Sequence, residues 1–271
     1  MSTHEFDIAV LLPTRARTDM LTRSVQSIFD LADQKDSIHL LIGFDRDDTI
    51  GIDHFNQELQ PWLDANDIDY TAMMFESMGY QGLNHYYNQL AKQVTADWYF
   101  VWNDDAEMKT PGWDTVIKQH NDEFNILKVH THFEHPYSIF PIVPHKWYEL
   151  LGTLSRHQMI DAEISQLAYM LDVIKIVDID VEHKPSPVPK VRFENDIKDP
   201  RDFHHVIWYD QRIKDGMALA THMRSQGLST EFFENIFKGT QDPWEKLAKN
   251  DVNKQMVQFS VTKRGNEFVK V

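Results

Sequence analysis

Apolar runs and helically spaced apolar positions alternate along the first hundred residues. Residues 7–13 (Asp-Ile-Ala-Val-Leu-Leu-Pro) form a continuous apolar run closed by Pro13, the pattern of a strand buried on both faces. A polar loop over 14–18 leads into residues 20–31, where Met20, Leu21, Val25, Ile28, Phe29 and Leu31 recur at helical spacing. The alternation continues with a strand at 37–44, a helix at 55–65, a strand at 70–75, a helix at 83–94 and a strand at 98–102. Short connections between such elements predict an α/β fold with a mostly parallel, doubly wound sheet. The second half is less regular. It predicts strands at 126–129, 137–143 and 174–181 and helices at 146–154 and 162–171. The Pro-rich residues 185–189 read as an extended linker. Amphipathic helices at 200–224 and 230–237 and an ambiguous tail follow. This divides the chain into an α/β domain over 1–190 and a mainly helical C-terminal extension over 191–271.

Open α/β sheets bind ligands outside the carboxyl ends of their strands, and three polar clusters fall there. Thr14-Arg15-Ala16-Arg17 follows the first strand, Asp45-Arg46-Asp47-Asp48 the second, and Asn103-Asp104-Asp105 with Glu107 the fourth. Pro111-Gly112 then turns the chain toward a new helix. Carboxylates that converge at a strand exit raise each other's pKa, and a divalent cation removes that penalty. Oxygen ligands suit Mg2+ or Mn2+. The plainer reading of residues 103–105 is a surface turn, which Asn and Asp favour for local reasons.

Composition narrows the partners. The 271 residues carry 42 acidic against 27 basic side chains, a formal charge of -15. That argues against a nucleic-acid backbone as main partner, since phosphate contacts need a basic face. A small anionic ligand held by a metal and a few placed cations remains compatible. No apolar run approaches the length of a transmembrane segment. The opening residues lack the basic and apolar regions of a signal peptide. Zero Cys removes disulfides, thiolate metal sites and thiol catalysis together. A cytoplasmic protein is the expectation.

The order Val10-Leu-Leu-Pro-Thr-Arg15, then Asp45, then Tyr99-Phe-Val-Trp-Asn-Asp-Asp105 and Pro111-Gly-Trp113 resembles family 2-like glycosyltransferases with the A-type, nucleotide-diphospho-sugar transferase fold. The resemblance spans roughly residues 7–185, with 1–115 as nucleotide-sugar half and 116–190 as acceptor half. It implies metal-dependent transfer of a sugar from a UDP- or GDP-type donor to an acceptor hydroxyl (glycan, lipid-linked or other), with inversion. It further implies that Pro13, Thr14, Arg15, Arg17, Asp45 and Asp104 line the donor site. Mn2+ or Mg2+ would sit on Asp105 with Asp104 and His183. Asn103 stands where the family's Asp-x-Asp motif has its first Asp. Arg15 and Arg17, or Lys184, would meet phosphate oxygens. Asp161, with Glu163 as alternative, would take the acceptor's proton. Read locally, Asp161 also suits a helix N-cap.

Other features stay outside that scheme. His130 and His132 of Val129-His-Thr-His-Phe-Glu-His135 would share one face of a strand, as in some Zn2+ or Fe2+ sites, or line the acceptor side of a cleft. His204-His205 reads as a solvated or packed pair. Tyr80, Tyr86, Tyr87, Trp147 and Tyr148 are sugar-stacking candidates that mostly read as core. Two further functions compete: a nucleotidyltransferase, which the Gly-free Pro13-Thr-Arg-Ala-Arg17 loop disfavours, and a non-catalytic nucleotide- or sugar-binding module.

Overall fold

The computed structural model describes residues 4–131, 138–184 and 206–237 and two short strands, Phe259–Val261 and Phe268–Lys270. For residues 206–210, 236–237 and those two strands only the backbone is described. The linker at 185–189 and His132, His135, His204 and His205 lie outside the described residues.

Strands β1 (Phe6–Thr14), β2 (Ile38–Asp45), β3 (Tyr70–Phe75) and β4 (Ala96–Val101) run parallel in the order β3-β2-β1-β4. Beyond β4 the sheet continues through β7 (Ile142–Pro144), β6 (Ile126–Thr131), β8 (Ile174–His183) and β5 (Ala106–Met108), eight strands in all. β7 is antiparallel to both β4 and β6, and β8 is parallel to β6. The two reversals cancel. β8 therefore runs in the direction of β1, β2 and β4, and His183 arrives at the same sheet edge as Thr14, Asp45 and the residues after Val101.

Both faces of the sheet are covered, as the doubly wound expectation requires. On β1, Ile8, Val10 and Leu12 face a core shared with α1 (Thr18–Asp30) and α5 (Trp113–Lys118). Ala9 and Leu11 alternate into a second core with α4 (Leu83–Ala91), α6 (His145–Leu151) and α7 (Ile160–Leu171). Between β2 and β3 the helix begins earlier than expected, at Thr49. It runs as α2 (Thr49–His54), a π turn (Phe55–Leu59) and α3 (Gln60–Ala65). The Asp48 side chain caps it by accepting from the Gly51 N–H at 3.0 Å. The widened turn ends just before Pro61, whose missing N–H interrupts the α-helical ladder. The strand expected at 137–143 is shorter and later, as β7, and three-residue β5 is too brief to leave a pattern.

The Pro111-Gly112 turn is built as expected. Gly112 is left-handed (φ 69°), and a side chain there would meet Asp33 Oδ2 at 2.7 Å. The next turn of chain is fixed by Asp114, fully buried, which accepts the Asp33 and Gln34 backbone N–H groups at 2.8 and 2.9 Å.

In the C-terminal region α8 (Val206–Ser225) packs against α6 and α7, and α9 (Glu231–Phe237) against α7. Leu219, Ala220, Met223 and Phe233 join the core of the second face. The helices of the extension thus share their core with the sheet domain. Among the described residues no helix is long and apolar enough to cross a membrane. Phe233→Ala is expected to cost about 3–5 kcal/mol in urea denaturation, the range for a buried aromatic; a loss below about 1 kcal/mol would mean α9 does not seat in this core.

Candidate active site

A cleft of about 330 Å3 opens at the carboxyl edge of the sheet. Of the residues expected there, Pro13, Thr14, Arg15, Arg17, Asp45, Asp104, Asp105, Asp161 and His183 all line it. Glu163, Glu107 and Lys184 are not part of its lining, and neither is His130.

Two polar networks organise the cleft where β1, β2 and β4 end. In the first, Tyr86 donates its hydroxyl to Asp45 Oδ1 at 2.6 Å and Arg15 donates to Asp45 Oδ2 at 2.8 Å. Arg15 also grips Asp47 with both terminal nitrogens, at 2.6 and 3.0 Å, a bidentate pair. That contact holds the exposed Asp47 carboxyl down at about 2. Burial and then Asp45 push the Tyr86 phenol above its ordinary value, so it stays a donor. Tyr86 and Tyr87 are buried core rings, as are Trp147 and, in part, Tyr148. Tyr86 nonetheless puts its hydroxyl on a site carboxylate, a role that ring burial hides from the sequence. Tyr80 is the exposed aromatic of the cleft wall.

In the second network, Thr14 donates to Asp104 Oδ2 at 2.7 Å. Arg17 Nη1 lies 2.6 Å from Asp104 Oδ1 and 3.1 Å from Asp105 Oδ2. Burial raises the Asp104 carboxyl and Asp105 adds to it, with Arg17 and Thr14 pulling the other way. Burial also works against the charge of Arg17, but the two carboxylates outweigh it and its pKa is raised. The loop that carries both arginines is strained: Ala16 sits at φ 53°. Its N–H is tied to Asp48 Oδ2 at 2.8 Å.

These contacts decide how a metal would fit. Both oxygens of Asp104 are engaged by Thr14 and Arg17, and Oδ2 of Asp105 by Arg17. Oδ1 of Asp105 lies 3.2 Å from His183 Nε2. A carboxylate and an imidazole side by side are donor types that a divalent ion accepts, and Asp105 and His183 would be the residues to hold one. Among the described residues no group of three or more acidic or His side chains completes a cage. Lys184, by contrast, is committed elsewhere: its ammonium lies 2.8 Å from Glu107 and 3.5 Å from Glu182.

The opposite wall carries Gln158, Ile160 and Asp161. Asp161 is the second residue of α7, and the N-cap position belongs to Met159. Glu163, offered by the sequence as an alternative base, is instead buried beneath the wall. Its Oε2 accepts the Ser155 hydroxyl and the backbone N–H groups of Arg156 (2.7 Å) and His157 (2.9 Å). The same loop is gripped by Asn84 and Asn88 of α4, which donate to the Arg156 and Ser155 carbonyls at 2.9 and 2.7 Å. From α8, Asp215 accepts two hydrogen bonds from Arg156, at 2.9 and 3.1 Å.

Sheet order and cleft position define the class: the chain has the A-type fold of nucleotide-diphospho-sugar transferases. Solved structures share it. TarS 1–349 of S. aureus matches with a TM-score of 0.54 and 12% identity over 93% of this chain and 80% of that one. The mannosyltransferase PcManGT of Pyrobaculum calidifontis, in complex with GDP-Man and Mn2+, matches at 0.52 and 11% over 94% and 88%. TarS 1–349 in complex with UDP matches at 0.52 and 10% over 97% and 98%. No family profile and no curated sequence matches the chain. At such identities the likeness establishes the fold, and the site must argue for itself.

Glu163→Gln weakens a buried acceptor of three hydrogen bonds, so it is expected to lower stability by about 1–3 kcal/mol. Chemical denaturation of the two proteins measures this, and an unchanged stability would return Glu163 to the list of candidate bases.

Proposed function

We propose that this protein transfers a sugar from a nucleoside-diphosphate sugar to an acceptor hydroxyl, with inversion at the anomeric carbon. The observation that carries the reading is the Asp105–His183 pair, which lines one cleft together with Asp45 and Asp161. Support comes from the fold, since one neighbour holds GDP-Man with Mn2+ and another holds UDP.

The residues divide the work. Asp45, with Pro13, Thr14 and Arg15, receives the base and ribose. Arg17 faces the diphosphate from the start of α1. Asp105 and His183 hold Mn2+ or Mg2+, which when bound supplies positive charge against the leaving diphosphate. Asp161 stands in the first turn of a twelve-residue helix, whose dipole favours the ionised carboxylate that a base must be. It takes the proton of the acceptor hydroxyl as that oxygen bonds to the anomeric carbon. The bond from that carbon to the diphosphate oxygen breaks, and its electron pair leaves with the diphosphate. One base on the acceptor side and a leaving group held on the donor side make a single displacement.

Calorimetry with UDP and GDP, each with and without Mn2+, tests the donor half. One nucleotide should bind, more tightly with the metal, and Asp45→Asn should weaken it by about tenfold or more, the range for a hydrogen bond to a charged group. Absence of binding by both nucleotides would sink the reading. Once an acceptor is in hand, Asp161→Asn should lower kcat by about 10²–10⁴-fold and leave donor affinity unchanged. Full activity in that variant would remove Asp161 from the mechanism.

A further inference from the structure

Arg17 already does for Asp104 and Asp105 what a metal would do. It lies within 3.1 Å of both carboxylates, and all three side chains are less than a fifth exposed. In so buried a setting charges act on one another with little screening. The pair of carboxylates carries two negative charges. Arg17 and a divalent ion together would bring three positive ones, an excess of one over the two carboxylates. The site balances with one of them, or with both once an anion enters.

The backbone around Arg17 is pinned, so the exchange falls to its side chain. The Ala16 N–H is held by Asp48, and the Arg17 carbonyl accepts the Leu21 N–H at 2.8 Å. Among the described residues the guanidinium is held by the two carboxylates. A diphosphate offers it oxygens of the same kind and more negative charge.

We infer that Arg17 is the resident counter-ion of the Asp104–Asp105 pair, and that it and a divalent metal are rivals until a nucleoside diphosphate draws Arg17 onto its phosphate oxygens. The rivalry rests on Arg17's contacts with both carboxylates and on their charge balance, and the exchange rests on the nucleotide-sugar reading above. Metal and nucleotide would then load together, and the empty cleft would hold its carboxylates neutralised without a metal.

The test is Mn2+ binding to the nucleotide-free full chain, followed by electron paramagnetic resonance and calorimetry. Arg17→Gln should bind Mn2+ about tenfold tighter than the unaltered protein, within the ordinary range of coupling between two ligands. Arg17→Lys, a point charge that serves two carboxylates less well, should fall between them. Saturating UDP or GDP should tighten Mn2+ about tenfold in the unaltered protein and clearly less in Arg17→Gln. If Arg17→Gln fails to fold, Arg17→Lys decides alone. Mn2+ affinity no higher in the folded variants than in the unaltered protein overturns the rivalry, even where UDP or GDP binds as proposed. Tighter Mn2+ in the variants with no nucleotide binding at all keeps the rivalry and overturns the exchange together with the nucleotide reading.

Discussion

Two adjacent carboxylates at the end of a buried strand cannot both stay ionised without a cation against them. Asp104 and Asp105 are each more than nine-tenths buried, and taking a charge out of water costs several kcal/mol unless it is paired and hydrogen-bonded. Much of the neighbouring architecture answers that demand. β1 ends in Thr14, which donates to Asp104, and the strained turn at Ala16 delivers Arg17 across both carboxylates. Topology supplies the rest. Because β6 and β8 regain the direction of β4 through antiparallel β7, β8 ends with His183 beside Asp105 instead of on the far side of the sheet.

The wall that carries Asp161 is built differently. The groups that support it lie one layer back from the cleft. Glu163, Asn84, Asn88 and Asp215 all grip the backbone or side chains of residues 154–157, and the chain then enters α7 at Ile160 with Asp161 toward the cleft. Asp215 lies on α8, in the region read as an appended extension. That helix is therefore joined to the candidate site through Arg156 as well as through the shared apolar core.

How much of this was legible in the sequence depended on whether a feature is local. β1, β2 and β4 showed as apolar runs because parallel strands buried on both faces admit few polar residues, whereas β3 at the sheet edge is only partly buried. Once the order of elements implied a parallel sheet, the three polar clusters had to share an edge, and Thr14, Arg15, Arg17, Asp45, Asp104 and Asp105 do. His183 came from the family resemblance, and β8 runs two residues beyond the expected strand to reach it. What failed was side-chain direction. Asp161 and Glu163 are two residues apart in one helical turn, so they point to different sides, and only the loop at 155–157 determines which of them is consumed as an anchor. Lys184 was lost to Glu107 because β5, too short to show a pattern, brings that carboxylate alongside β8. Tyr86 was hidden in the opposite way. Its ring obeys the helical stripe of a core residue while its hydroxyl reaches Asp45.

The charge balance links these points to recognition. A chain of net charge -15 repels anions over most of its surface, and the two arginines in its cleft are both held by carboxylates. Arg15 is claimed by Asp45 and Asp47, Arg17 by Asp104 and Asp105. A lone phosphate would have to displace one of these pairs for a few hydrogen bonds in return. The proposed nucleoside diphosphate would offer more, because its base or ribose would satisfy Asp45 while its phosphates took Arg17 and left Asp105 to a metal. Cations that are already paired would thus favour a ligand able to replace several partners at once, a preference that would follow from the pairing itself.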